Sequence, residues 1–335
     1  MSYGTSILGL GSYLPEDIYD NFYFEQYVET TDEWIRTRTG IRERRFVRDG
    51  MATSDIATLA AQEALKESNL KADEIDLIIV ATATPDRLFP STACTVQEKL
   101  RAKKAAAFDI SAGCSGFIYA LACASQFMEN GLFQRVLVIG AETLSKFIDM
   151  KDRTTCVLMG DGAGALVLER TEGENQLLSF YLGADGTGGQ YLELPAGGSH
   201  LPASLETVEK KLHYIKMEGS LVFKWAVEKM VLSGLEATRR AGLNLKEIDW
   251  LLPHQANIRI IQSVASRLGF PMEKVLLSLE TIGNTSAASI PLTLSQSLRE
   301  GKIKDGDLLL LLGFGAGFTW GGAVLRWSRG KNERE

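Results

Sequence analysis

The sequence predicts an α/β fold in which one mixed unit occurs twice. Segments with helical periodicity alternate with short runs of consecutive apolar residues, which are typical of strands buried on both faces. The segment NLKADEIDLII at residues 69–79 has a close counterpart, NLKEIDWLL, at residues 244–252. The strand predicted at residues 136–140 is echoed by residues 308–313 in the same relative position. Two copies in one order predict a pseudo-symmetric pair of packed halves.

The two halves are predicted to meet within residues 170–180, where a charged stretch follows the first copy. We therefore divide the chain into an N-terminal half, residues 1–175, and a C-terminal half, residues 176–335. A chain of 335 residues with 45% hydrophobic content can bury a large core.

In the first half, a short strand is predicted at residues 5–10 and a helix that ends near Ser68. Ser54 or Asp55 is predicted to cap that helix, because both side chains accept hydrogen bonds from backbone N–H groups. Its apolar face is predicted to contain Ile56, Leu59, Ala60 and Leu65. A fully buried strand follows at residues 75–83, since its apolar run is continuous.

In the second half, a helix is predicted near residues 223–240 and a strand at residues 248–252. The glycine-rich residues 183–204 are predicted to form an irregular loop at the mouth of a site. The glycine runs at residues 160–164 and 313–317 lead into extended apolar stretches and not into helices. They therefore do not match a nucleotide-binding loop.

Composition excludes several classes of function. A net charge of −6 provides no overall basic field for nucleic acid or an anionic membrane. Four cysteines without CxxC or Cys/His spacing, and three histidines, predict neither a metal site nor a disulfide framework. The N-terminal residues lack a signal-peptide pattern, and no apolar run approaches about 20 residues. We expect a cytoplasmic protein that binds no nucleic acid and no membrane.

Cys114 is the first candidate catalytic residue. An apolar run ends at Asp109, a turn of small residues follows, and a largely apolar helix begins near Ser115. A thiol at a helix N-terminus meets unpaired N–H groups and the positive end of the dipole, which predicts a lowered pKa and a nucleophile. The alternative is that a free cysteine is a small inert apolar residue, which is what we predict for Cys94, Cys123 and Cys156.

His254 and Asn284 are the next candidates. His254 follows the strand at residues 248–252, and ligands of open α/β sheets gather beyond the carboxyl ends of strands. The turn at Asn284 leads into an apolar helix at the place where the first half has Cys114. The repeat therefore predicts that Cys114 and the Asn284 turn lie across one pseudo-twofold axis. From the residues alone, a locally satisfied histidine and a turn-shaping asparagine remain alternatives.

An arginine-rich segment surrounds Trp34. Residues 31–45, TDEWIRTRTGIRERR, contain five arginines, which form either a solvated face or a site for an anionic, purine-bearing ligand. Composition leaves both interpretations open.

A cysteine, a histidine and an asparagine occur in two classes of enzyme. One is papain-like hydrolysis, whose local signature around the cysteine is absent from this chain. The other is acyl transfer through a thioester on the cysteine.

Four co-linear segments carry a specific resemblance: ISAGCSGF at 110–117, LPHQAN at 252–257, IGNTSAAS at 282–289 and GAGFTWG at 315–321. Together they resemble β-ketoacyl-acyl-carrier-protein synthase III, a thiolase-like family of condensing enzymes, over essentially the whole chain. The resemblance implies a thiolase-like fold, in which two duplicated α/β halves pack as a five-layer αβαβα sandwich.

The resemblance also implies residue roles. Cys114 would be the nucleophile, with His254 and Asn284 acting on the malonyl thioester and the backbone of Cys114 and Ala316 forming the oxyanion hole. Ala316 stands where the family often has glycine, but it still supplies a backbone N–H. The remaining implied contacts are to coenzyme A (Trp34, Arg38 and Arg153), to the partner's acyl pocket (Phe89) and to the carrier protein (Lys224 and Arg259).

The implied reaction starts type II fatty acid biosynthesis. A short acyl-CoA primer condenses with malonyl-acyl-carrier protein, with loss of carbon dioxide, in a homodimer that needs no cofactor because acyl-CoA is a substrate. The alternative is a related thiolase-like enzyme of secondary metabolism with a different primer or acceptor.

Overall fold

The computed structural model describes residues 3–173 and 175–328. The strands are β1 Gly4–Tyr13, β2 Asp17–Asp20, β3 Glu43–Phe46, β4 Leu77–Ala81, β5 Ala106–Ile110, β6 Arg135–Thr143, β7 Asp161–Thr171, β8 Leu177–Ala184, β9 Leu192–Glu193, β10 Lys216–Met217, β11 Trp250–Pro253, β12 Leu308–Gly315 and β13 Thr319–Arg326. The helices are α1 Asn21–Phe24, α2 Asp32–Thr39, α3 Thr53–Glu67, α4 Thr92–Leu100, α5 Gly116–Glu129, α6 Arg153–Cys156, α7 Leu205–Glu209, α8 Gly219–Arg240, α9 Ile258–Leu268, α10 Leu279–Ile282 and α11 Ser289–Arg299.

Two large sheets organise the described residues. The first has the strand order β1-β7-β6-β4-β5, and the second has the order β11-β12-β13-β8. In each sheet the first strand of a half pairs antiparallel with the last strand of that half, β1 with β7 and β8 with β13. The chain passes from the first sheet to the second between Thr171, the end of β7, and Leu177, the start of β8.

The helices lie in three layers around these sheets. α3 and α4 cover the outer face of the first sheet, and α8, with α9 against it, covers the outer face of the second. α5 and α11 pack between the sheets, where α5 contacts β4, β6, β12 and β13, and α11 contacts β1, β7 and β11. The predicted five-layer αβαβα sandwich is therefore confirmed.

The middle layer also confirms the predicted pseudo-symmetry. α5 is preceded by a 3₁₀ turn at Gly113–Ser115, and α11 is preceded by a 3₁₀ turn at Ser286–Ala288. The two turns contact each other at the centre of the molecule. The N-terminal ends of the two buried helices therefore bring Cys114 and the Asn284 turn together.

Three local predictions are wrong. α3 begins at Thr53 with Ala52 as its cap, because Asp55 acts from inside the first turn, accepting the Ala52 N–H at 2.7 Å. Leu59 is 39% exposed and lies off the buried face of α3, whereas Ile56, Ala60 and Leu65 are buried as predicted. Cys94 is exposed, because it lies between the buried positions of α4, Ala93 and Val96.

The glycine-rich residues 183–204 are more regular than predicted. They contain a 3₁₀ segment, Gly186–Tyr191, and strand β9, which pairs with β10. This pairing depends on residues more than twenty positions away, so local composition does not reveal it. Leu192, Glu193 and Leu194 line the pocket that contains Cys114, which agrees with the predicted position of this segment at a site.

Across residues 3–173 and 175–328, no helix is both long and apolar enough to cross a membrane. In the same part of the chain, no cluster of His, Cys, Asp and Glu side chains is arranged to hold a metal ion.

Candidate active site

A pocket of about 250 Å³ opens where the two halves meet. Its polar wall contains all three predicted catalytic side chains, Cys114, His254 and Asn284, and also Ala316. The remaining lining is largely apolar, and about half of it comes from α8, α9 and the segments around β9 and β10. The structure therefore brings together in one cavity residues from both halves that lie far apart in the sequence.

Cys114 sits in the turn that leads into α5. That helix is buried nearly all round, as predicted, so its N-terminal end is fixed against both sheets. Ser115 Oγ lies 2.8 Å from Thr319 Oγ1, and the Thr319 hydroxyl lies 2.7 Å from the Ala112 carbonyl oxygen. These bonds fasten the cysteine turn to the turn between β12 and β13.

Two glycines allow the close approach of these turns. A Cβ on Gly113, whose φ is +52°, would lie 2.6 Å from the Ala316 nitrogen. A Cβ on Gly315 would clash with the Cys114 nitrogen. Because neither side chain is present, the cysteine turn packs directly against the turn that carries Ala316, and the backbones of both residues meet at the pocket. This is the arrangement that a two-donor oxyanion hole requires.

The predicted lowering of the Cys114 pKa is wrong for the resting protein. Desolvation in the apolar pocket raises the pKa of the thiol to about 12, outweighing the hydrogen bond from the Ser286 side chain. The nearby Glu142 carboxylate raises it further. The helix N-terminus therefore does not produce a preformed thiolate, and the proton must leave as the sulfur forms its new bond.

His254 directly follows β11, at the carboxyl end predicted from sequence. Its side chain is 3% exposed, and burial lowers its pKa to about 3, so the imidazole is neutral at physiological pH. Its Nδ1 lies 2.7 Å from Ser289 Oγ, at the start of α11. The adjoining loop is held by Gln255, whose side chain bonds the backbone of Pro253, Leu276, Ser278 and Leu279.

Asn284 is fixed by its own turn. Its backbone N–H donates to the Leu158 carbonyl at 2.8 Å, and its carbonyl accepts the Gly160 N–H at 2.8 Å. Its Oδ1 accepts the Ser286 N–H at 2.9 Å. With the amide oxygen occupied, the Nδ2 donors of Asn284 remain for a ligand in the pocket. A neutral imidazole and this amide can hydrogen-bond an oxygen on which negative charge develops.

Sequence reasoning missed Glu142, Ser286 and Ser289. Glu142 is fully buried and accepts from the Ala83 N–H at 3.1 Å and the Thr84 hydroxyl at 2.7 Å. Burial raises its pKa to about 6. The two serines belong to the quoted segment IGNTSAAS, but only their spatial partners distinguish them from other serines. No local signal marks Glu142, whose partners come from strand ends far along the chain.

The three residues predicted to bind coenzyme A are neighbours. The Arg153 guanidinium lies 4.7 Å from the Trp34 ring centroid, and that of Arg38 lies 5.7 Å from it. None of the three lines the pocket itself. They adjoin its edge, because Asn257, which does line it, donates to the Arg38 carbonyl at 3.1 Å.

The other arginines of the segment around Trp34 have structural partners. Arg44 is fully buried and donates to the Tyr19 and Val157 carbonyl oxygens and to Asn21 Oδ1. Arg36 pairs with Asp32, Arg42 pairs with Glu280, and Arg45 donates to the Pro15 carbonyl. Arg36 and Arg42 are exposed, as a solvated face predicts, whereas the buried Arg44 fits neither interpretation. The ligand interpretation stays a prediction for Arg38.

Phe89, Lys224 and Arg259 lie on the surface. Phe89 is 84% exposed and does not enter the pocket of its own chain. Lys224 on α8 and Arg259 on α9 are exposed, and each adjoins residues that line the pocket, Phe223 and Ile260. The two cations therefore lie on the two packed helices that contribute to the pocket lining.

A duplicated αβαβα sandwich with a cysteine at the end of one central helix, and two hydrogen-bond donors from the other half, defines a thiolase-like condensing enzyme. Family models match at both places: 3-oxoacyl-[acyl-carrier-protein] synthase III at residues 108–186, and the C-terminal part of the same family at residues 238–327. The first range contains Cys114, and the second contains His254 and Asn284.

Full-length relatives carry the same name. The chain is 58% identical over 325 residues to the β-ketoacyl-[acyl-carrier-protein] synthase III of Caldanaerobacter subterraneus subsp. tengcongensis, covering 97% of this chain and 98% of the relative. It is 55% identical to the β-ketoacyl-[acyl-carrier-protein] synthase III of Clostridioides difficile, covering 98% of this chain and 100% of the relative. The crystal structure of 3-oxoacyl-[acyl-carrier-protein] synthase III from Aquifex aeolicus, 48% identical, superposes with a TM-score of 0.89 and covers 97% and 100%. The chain belongs to the β-ketoacyl-acyl-carrier-protein synthase III family.

Proposed function

We propose that this chain condenses a short acyl-CoA primer with malonyl-acyl-carrier protein and releases carbon dioxide and a β-ketoacyl-acyl-carrier protein. The observation that carries this proposal is the shared pocket, in which Cys114 from one half faces His254 and Asn284 from the other. The identity of 58% to a β-ketoacyl-[acyl-carrier-protein] synthase III favours this reaction over a secondary-metabolic variant.

The first stage is acylation of Cys114. Its sulfur attacks the thioester carbonyl of acyl-CoA, whose oxygen receives hydrogen bonds from the N–H groups of Cys114 and Ala316. The new carbon–sulfur bond replaces the bond to coenzyme A, which leaves as the free thiol with the proton that Cys114 gives up. Because burial raises the pKa of Cys114 to about 12, this proton moves during the reaction and not before it.

The second stage uses the other two residues. Malonyl-carrier protein enters, and its thioester oxygen accepts hydrogen bonds from His254 and Asn284. Loss of carbon dioxide leaves an enolate, whose charge these donors stabilise. The enolate carbon then attacks the acyl carbonyl, and the Cys114 sulfur leaves as a thiolate that takes up a proton from solvent. A neutral His254, its pKa lowered to about 3, suits a donor to an enolate.

The ligand contacts outside the pocket follow from charge and shape. Trp34 offers a ring for an adenine, beside two guanidinium groups that can pair with phosphates. Lys224 and Arg259 offer exposed cations on an otherwise acidic protein to an acidic carrier protein. No cofactor enters this scheme.

The assembly that we propose is a homodimer in the cytoplasm. Within the described residues, β5 pairs only with β4, so one edge of the first sheet is open. Phe89 and its neighbour Leu88 are adjacent apolar side chains that are 84% and 75% exposed. Insertion of Phe89 into the acyl pocket of a second copy would bury this side chain, and pairing along β5 would cover the open edge.

The test is intact-mass analysis after incubation with a panel of acyl-CoAs. One acyl mass should be added to the wild-type chain and to Cys123→Ala, and none to Cys114→Ala. Cys123 is the matched control because it is a half-buried thiol on α5, the same helix that Cys114 precedes. An unchanged adduct in Cys114→Ala would contradict the assignment of the nucleophile.

A further inference from the structure

Ser289 occupies a place next to His254 that the proposed reaction does not yet explain. Its side chain is fully buried at the first residue of α11, and its Oγ lies 2.7 Å from His254 Nδ1. The Gln255 N–H points at the same oxygen from 3.4 Å. Ser289 therefore connects the middle-layer helix to the loop that carries His254.

The hydrogen-bond inventory decides the direction of the bond between Ser289 and His254. A neutral imidazole has one N–H donor and one bare nitrogen acceptor, and a hydroxyl has one proton to donate. The Gln255 N–H can only donate to Ser289 Oγ, so it cannot take the hydroxyl proton. Among the described residues, the acceptor that the structure gives this hydroxyl is His254 Nδ1.

The opposite arrangement leaves a buried group without a partner. If Nδ1 carried the proton and donated to Ser289 Oγ, the serine proton would have no acceptor among the described contacts. Burying an unsatisfied donor is unfavourable, so the first arrangement is favoured. His254 then carries its proton on Nε2, the nitrogen that is left for the pocket.

We propose that Ser289 is a positioning residue that holds His254 in the Nε2–H tautomer and so makes it a hydrogen-bond donor to the malonyl thioester oxygen. This proposal rests on the proposed function, and it explains why His254 acts as a hydrogen-bond donor in that reaction. The other tautomer would present a bare nitrogen to the pocket, which can accept a proton but cannot stabilise an enolate oxygen. The serine hydroxyl thus determines that His254 presents a hydrogen-bond donor to the pocket and not a general base.

The experiment combines two measurements on the whole protein. Nitrogen NMR of ¹⁵N-histidine-labelled protein without substrate distinguishes the tautomers, and His254→Ala assigns the signals among the three histidines. Release of labelled carbon dioxide from malonyl-carrier protein measures the second stage, and acyl-enzyme mass measures the first. We expect Nε2–H in the wild type. In Ser289→Ala we expect a mixed tautomer, carbon dioxide release reduced about 10- to 100-fold, and intact acylation.

Two controls separate this role from general damage. Ser125→Ala removes a hydroxyl that is also fully buried, on α5, where it bonds Glu129 and lies outside the pocket lining. It should leave both stages unchanged. Ser289→Thr keeps the hydroxyl and should restore the Nε2–H signal and most of the carbon dioxide release.

The contradicting results are distinct. An Nδ1–H signal in the wild type overturns the proposal even if Ser289→Ala does not fold. Wild-type tautomer and carbon dioxide release in Ser289→Ala also overturn it, while the proposed function stands if His254→Ala loses release. Normal release by His254→Ala would overturn both.

Discussion

At the scale of single residues, environment decides chemistry more than residue type does. His254 and Cys114 are both buried at one pocket, and burial moves the pKa of the imidazole down and that of the thiol up. Both groups are therefore neutral when the protein is at rest. Local sequence identified Cys114 from the turn and the helix after it, but the dipole argument left out desolvation, which is the larger effect.

A pH titration of Cys114 reactivity tests this view. The thiolate is the nucleophile, and its fraction rises with pH until the pKa is passed. With the pKa of Cys114 raised to about 12, alkylation by iodoacetamide should accelerate about tenfold per pH unit from pH 6.5 to 9. Cys114→Ala gives the background from the other thiols. A plateau below about pH 8 would show a preformed thiolate and contradict the dominance of burial.

At the scale of elements, the site depends on two turns whose backbones approach closely because glycines lie at their contact. The end of β12 runs against the cysteine turn, and only glycine at Gly315 permits the contact. The family motif indicated this turn, but single-sequence patterns do not show which backbone atoms meet. The same limit explains the missed pairing of β9 with β10.

Gly315→Ala should therefore impair acylation. A Cβ at this position must push the turn that carries Ala316 away from Cys114, which misplaces the oxyanion donors. We expect the rate of acyl-enzyme formation to fall about 10²–10³-fold. The rate is measured by mass spectrometry of samples quenched at successive times. Gly186→Ala is the control, since its Cβ would meet no atom within 4 Å. A wild-type rate in Gly315→Ala would contradict the close-approach account.

The arginine run offers a stability test at the same scale. Arg44→Ala removes a buried guanidinium and with it the donor to three acceptors, two of them backbone carbonyl oxygens. The free energy of unfolding should fall by about 2–4 kcal/mol in urea titration. Arg36→Ala, which removes an exposed pair with Asp32, should change it by less than about 1 kcal/mol. Equal losses would show that Arg44 has no special structural role.

At the scale of the whole molecule, duplication is what sequence predicts best. The repeated segment at residues 69–79 and 244–252 predicted two matching halves, and the two sheets and the paired middle helices confirm it. The pseudo-twofold relation between Cys114 and the Asn284 turn followed from the same repeat. By contrast, Glu142 and Ser289 act through partners brought together only by the final packing, so no periodicity indicates them.

The carrier protein should dock on one face of the molecule. Arg259→Glu should raise the KM for malonyl-carrier protein about 3- to 10-fold, with a weaker effect at high salt, because exposed ion pairs are screened. Arg267→Glu makes the same change at the other end of α9, away from the pocket, and should have little effect. Steady-state kinetics at two salt concentrations provides the comparison. Equal effects of the two variants would contradict a local docking patch.

The division of labour between the two halves is the central claim, and one measurement tests it most directly. Acyl-enzyme mass from acyl-CoA and labelled carbon dioxide release from malonyl-carrier protein are measured on the same preparations of His254→Ala and Asn284→Ala. Both variants should still take up one acyl group, because the first stage uses the N–H groups of Cys114 and Ala316. Carbon dioxide release should fall about 10²–10³-fold, since each variant loses one donor to the enolate. If His254→Ala loses acylation as severely as decarboxylation, His254 is the base for Cys114 and the claim is wrong.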